Sequence, residues 1–170
     1  MTAIVDGSLG FTAPVGAVYN GLQTGTQQTL SGTSVSFTGI PSWVKRITVS
    51  FTSATVSGSA HFLIQIGNGT AETTGYSATS IYGGGSAGTN SSTSGYISVN
   101  GANTNTINGL ITFVNQSGNI WTCMGMSSTG STTMIWNNGA KTTSGTVSVL
   151  KFTTTSGTDT LGGSINIIYE

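Results

Sequence analysis

The side chains able to do acid–base, nucleophilic or metal chemistry are few enough in this 170-residue chain to name individually. His61 is the single histidine and Cys123 the single cysteine. The carboxylates are Asp6, Glu72, Asp159 and Glu170, and the cations are Lys45, Arg46, Lys141 and Lys151. A Ser-His-Asp triad needs an imidazole, an acid and a hydroxyl within hydrogen-bond reach. With 24 Ser and 31 Thr in the chain, a hydroxyl partner carries no information. Asp6 falls in a weakly patterned N-terminal stretch and Asp159 in a turn, so His61, beside Phe62 in a strand, reads as a surface or interface residue. Cys123 lies among Trp121, Met124 and Met126, where a thiol behaves as a small buried hydrophobe. One cysteine makes neither an intrachain disulfide nor a cysteine-rich metal site. Glycoside hydrolysis uses two carboxylates flanking one bond, and the four acids are scattered. The expectation is a protein with no catalytic residue, no cofactor and no metal.

Residues 83–88 formally fit GxGxxG. That motif binds a pyrophosphate when it follows a strand and opens a helix; no helical pattern follows here, and the segment reads as a loop. Lys45-Arg46 is the only basic pair. It heads the strongest strand, where it either pairs with Glu72 or an acid of another subunit or is simply a solvated strand end. The sequons at Asn68, Asn90 and Asn115 are expected by accident in a chain so rich in Asn, Ser and Thr. Trp43, Trp121, Trp136, Tyr76, Tyr82 and Tyr96 are large aromatics, which fill cores and subunit interfaces or stack on sugar rings. The candidate host-glycan contact is the 76–96 region, through Tyr76, Tyr82 and Asn90.

Composition narrows the function further. Charged residues make up 5% of the chain and the formal net charge is +0, where an ordinary domain is roughly 25% charged. Binding nucleic acid by counterion release needs several cations on phosphates, and calcium cages usually need carboxylates among their oxygens; neither supply exists. A surface near zero net charge promotes association, so an assembly is expected. The first residues show no basic n-region followed by an apolar h-region, and no apolar run reaches the ~18 residues of a membrane-spanning helix. Neither nucleic-acid binding nor membrane insertion is expected, and release from a cell would follow lysis.

The elements that must position these residues are strands. Ile47, Val49 and Phe51 alternate with Arg46, Thr48 and Ser50, the period of two of a half-buried strand, and Ala54 and Val56 extend it past a bulge. Phe62, Ile64 and Ile66 share one face of the next strand. The link at 57–59 suggests that the two runs form a β-hairpin. Residues 67–94 read as a long loop. Strand patterns resume near 96–99, 106–114, 120–126, 132–136, 146–152 and 163–169. With β-branched residues dominant and no amphipathic helical window, about eight short strands give an all-β, antiparallel, jelly-roll-like β-sandwich. Residues 1–33 read as an irregular N-terminal arm or anchor and residues 34–170 as the sandwich domain.

Three segments together carry a resemblance: FTGIPSWVKRITV at 37–49; FLIQIG at 62–67 followed by ETTGY at 72–76; and GTDT at 157–160 with GSINIIYE at 163–170. In this order they resemble a β-rich domain found at the C-terminal ends of tailed-bacteriophage tail fibres and related virion surface proteins. The similarity runs from about residue 34 to the end and omits 77–95. It implies a structural virion protein, homotrimeric, docked to other virion proteins through the arm, and engaged in receptor binding to host-surface polysaccharide. A capsid decoration (cement) protein is the alternative, and a virion glycan hydrolase a third. The family motifs are structural and bring no catalytic residue with them.

Overall fold

The computed structural model describes residues 4–6, 10–12, 21–84, 87–98, 106–130 and 133–170, the first two segments as backbone only. These form strands and no helix. In chain order they are β1 (Ile4–Asp6), β2 (Gly10–Thr12), β3 (Gln23–Thr24), β4 (Gln28–Thr29), β5 (Val35–Thr38), β6 (Arg46–Val56), β7 (Phe62–Gly67), β8 (Tyr76–Gly83), β9 (Gly88–Ser92), β10 (Tyr96–Ser98), β11 (Ile107–Ser117), β12 (Ile120–Thr129), β13 (Thr133–Thr142), β14 (Val149–Thr154) and β15 (Leu161–Tyr169).

The strands build an antiparallel sandwich. The smaller sheet runs β10-β7-β14-β5; the larger runs β3-β15-β6-β11-β12-β13-β8-β9, with β4 also on β15. From β5 to β15 the chain passes repeatedly between the two sheets. If the β11–β13 meander is counted as one position, the two orders are those of a jelly roll, with β15 and its short partners added outside β6. Among the described residues, β1 and β2 pair only with each other.

Three expectations meet a different arrangement. β6 and β7 do not form a hairpin: β6 lies between β15 and β11, and β7 between β14 and β10 in the opposite sheet. Their short link crosses the sandwich because both strands carry apolar rows that bury against each other; Phe51 and Phe62 each pack on Phe152, at centroid distances of 5.7 and 5.1 Å. The stretch 67–94 contains strands β8 and β9. On β8 the inward positions are Tyr76, Ala78 and Ser80, so small and polar residues hide the alternation. The larger sheet also takes in residues before 34. Gln23–Thr24 and Gln28–Thr29 pair with β15, and Leu30 is buried in the core. A boundary at 33/34 therefore cuts through that sheet's edge. The rest of the expected arm lies mostly outside the described residues.

The bulge in β6 is at Ser53, which adopts φ 51°. Thr52 and Ser53 are both exposed, after which Ala54 and Val56 point inward. The extra residue switches the inward parity from odd to even. Pairing shifts on both sides, between Ile107 and Gly109 on β11 and between Gly162 and Ser164 on β15.

Candidate functional site: an apolar outer face

In an antiparallel sheet, residues paired across strands project to the same side. One such row crosses four strands of the larger sheet: Leu110 opposes Met126, Met126 opposes Trp136, and Trp136 opposes Ile81. All four face outward, and each is 45 to 50% exposed. Met124, Met134, Val114 and Ile120 are also exposed on these strands, and Thr112, Asn138 and Thr79 continue the row through Met124. The single charged residue on β8, β11, β12 and β13 is Lys141, and it points inward.

The packing behind this face explains why it is apolar. β12 and β13 turn Gly125, Ser127, Asn137, Gly139 and Lys141 toward the interior and Met124, Met126, Met134 and Trp136 toward solvent. The interior has no room for a side chain at Gly125 or Gly139. Tyr96 meets Tyr76 edge-on at 5.1 Å and Phe113 at 4.9 Å. A Cβ on Gly139 would lie 2.9 Å from Cδ1 of Tyr96, and one on Gly125 2.5 Å from a side-chain carbon of Ile111. The Tyr96 ring of the facing layer, at Gly139, and the Ile111 side chain of the neighbouring strand β11, at Gly125, thus take the space that larger residues would otherwise fill.

The proposed glycan contacts do not come together as an exposed aromatic site. Tyr76 is 3% exposed. Its hydroxyl accepts from Ile66 N–H at 2.9 Å and lies 3.0 Å from both the Ile66 and Glu72 carbonyls. Burial pushes its phenol above the ordinary range. Tyr82 is half-buried and packs against the core rim. Asn90 pairs with Ser80, whose side chain is fully buried, so Asn90 lies on the inward side of the β8–β9 edge. The outward residues of this edge, including Ser77, Thr79, Ser91 and Thr93, line a shallow hydroxyl-rich depression.

The remaining candidates are placed as follows. His61 and Asp159 border one shallow depression with Ser156. There the Asp159 carboxylate accepts from Ala60 N–H at 3.3 Å, and the Ser156 hydroxyl accepts from the N–H groups of Thr158 and Asp159 at 3.3 and 3.0 Å. These contacts hold turns. Cys123 and Trp121 are buried as expected, whereas Met124 and Met126 point away from them. Burial raises the Cys123 thiol well above its usual range. Gly83 ends β8 and Gly88 opens β9, so the GxGxxG stretch links two strands. Arg46 pairs with Glu170 and Lys141 with Glu72, the latter at 2.5 Å. Among the described residues no three His, Cys, Asp or Glu side chains gather as a metal site.

The outer face was missed at the sequence level because Met124 and Met126 read as company for a buried thiol. Strict alternation through Trp121, Cys123 and Gly125 was the available signal. No protein-family model, curated protein or solved structure matches the chain.

Proposed function

We propose that the protein is a non-enzymatic structural component of a tailed-bacteriophage virion. In this reading it is a fibre-type β-sandwich, assembled as a homotrimer on the particle surface and taking part in host-surface recognition. The observation that carries the reading is the uncharged apolar outer face of the larger sheet. Contiguous apolar patches of this kind mark interaction surfaces, and the chain has almost no charge with which to do other work.

The position of the resembling segments supports the same reading. FTGIPSWVKRITV runs from the end of β5 into β6, FLIQIG is the start of β7 to its end, and GSINIIYE covers most of β15. β6 and β15 are paired neighbours and β7 lies in the opposite sheet, so two of the three stretches adjoin. Host contact, in this reading, falls to the hydroxyl-lined β8–β9 edge instead of the ring of Tyr76. Weak contacts of that sort gain strength from multiple copies.

The test is to locate the protein in an electron-microscopy map of purified particles and to count its copies by quantitative mass spectrometry. A few to tens of copies on the tail or its fibres is the expected result. Hundreds of copies on the capsid would favour the cement-protein alternative, and absence from purified particles would overturn the virion assignment.

A further inference from the structure

We propose that the outer face of β8, β11, β12 and β13 is a self-association surface, covered in the assembled protein by a second copy of this chain. The inference rests on the assembly part of the function proposed above and names the surface responsible.

Three observations select this occupant. The first is charge. None of the outward positions on the four strands is charged, and Arg46, which opposes Val114 at the border, is already paired with Glu170. Burying the face therefore strands no ion, the main cost of hiding polar surface at an interface. The whole chain has a net charge of +0, so two copies approach without long-range repulsion. A foreign partner is commonly selected by complementary charge, and this face has none to offer.

The second is extent. Four strands about 4.8 Å apart, with β12 ten residues long at about 3.4 Å per residue, span roughly 600 Å² on one copy. Covered by an equal area of the neighbouring copy, the face contributes to about 1,200 Å² of buried surface in total, where specific interfaces begin.

The third is residue type. Trp136 and the methionines at 124, 126 and 134 belong to the classes enriched at interface centres. They stand outward while small and polar neighbours are packed inward.

The experiment uses the full chain. Sedimentation velocity over a concentration series would compare wild type with Leu110→Glu and Met126→Glu, and with Thr155→Glu at an exposed turn away from the face as control. Peroxide oxidation of Met124 and Met126, read by mass spectrometry, reports directly whether the face is covered. We expect an oligomeric wild type with slowly oxidised methionines and an oligomeric control. Each face variant should keep its far-UV spectrum and associate at least about tenfold more weakly. If a face variant misfolds, the wild-type oxidation rates still decide. An oligomeric wild type whose Met124 and Met126 oxidise like free methionine would overturn this inference and leave self-assembly standing. A monomeric wild type with fast oxidation would remove both. A monomeric wild type with protected methionines would assign the cover to the chain itself and overturn the second copy.

Discussion

The hydroxyl of Tyr76, on β8 of the larger sheet, is held by both backbone groups of Ile66, on β7 of the smaller one: it accepts from the N–H at 2.9 Å and lies 3.0 Å from the carbonyl. One phenol thus ties the two layers at a point where the Ile66 side chain is itself fully buried. Tyr76→Phe keeps the ring and removes the tie, leaving a buried N–H without its partner. The expected cost is about 1–3 kcal/mol. A lower urea midpoint at unchanged slope and fixed protein concentration checks it. A stability unchanged from wild type would mean that the tie contributes nothing.

Lys141 and Glu72 form a further inward-facing polar contact. The lysine side chain is 7% exposed and the carboxylate side chain 20%, with the ammonium 5.3 Å from the centre of the Tyr76 ring. Burial pushes the Glu72 carboxyl up, but the bond to Lys141 and the two from Ser144 outweigh it and hold the group below its ordinary 4.5. A depressed folded value means that the contribution is complete above about pH 4.5 and is lost as pH falls through the folded value. Glu72→Gln should therefore be less stable than wild type at pH 7, with the difference shrinking in acid. Parallel urea titrations from pH 7 to pH 2 measure it, and a gap that widens in acid would contradict the assignment.

Lys141→Met should also destabilise, because it leaves the carboxylate without its cation. Removing one partner of a fully buried pair costs about 3–5 kcal/mol. Glu72 retains some water, which puts the expectation at the lower end. Adding Glu72→Gln to Lys141→Met should recover part of the loss, and a double-mutant cycle at pH 7 reads the coupling.

The bulge at Ser53 sets two glycine-related predictions apart. Gly163 has φ 99°, and a Cβ there would lie 2.3 Å from the Ser53 carbonyl oxygen, a backbone atom that cannot rotate away. Gly163→Ala should cost about 1–3 kcal/mol or more. Ser53 also has a positive φ, of 51°, and Ser53→Gly relieves about 1–2 kcal/mol of left-handed strain. It also gives the unfolded chain freedom worth roughly 0.5–1 kcal/mol. The two effects partly offset, so the expected change is a stabilisation of no more than about 1.5 kcal/mol. Thermal or urea unfolding of both variants decides.

Cys123 should be chemically silent in the native protein. The thiolate is the reactive species, and burial holds this thiol in its protonated form. A disulfide reagent at pH 8 should label it only as fast as the protein opens, and labelling should become rapid in denaturant. Native labelling at the rate of a free thiol would show the side chain to be accessible.

Much of the sandwich was legible because β-branched residues at every second position leave few alternatives. Ile47, Val49 and Phe51 declared β6, and Ala54 with Val56 declared its bulge. β8 was hidden by Ala78 and Ser80, inward residues too small or polar to mark a strand. The arch between β6 and β7 was also hidden, since a short link is compatible with either pairing or crossing.

The sequence by itself determined that this is an antiparallel all-β protein with almost no charge and very little acid–base machinery, because those properties follow from residue type and local alternation. Only the tertiary structure decided which parity of β12 and β13 faces the core. Both parities contain large residues: Trp121, Cys123 and Ile135 on one side, Met124, Met126 and Trp136 on the other. A strand shifted by one residue exchanges the two sides completely. The Tyr96 ring from β10 and the backbone of β8 leave no room for a Cβ at 139, and Ile111 of β11 leaves none at 125. That distant packing, which no local window contains, turns the methionines and Trp136 outward and creates the apolar face.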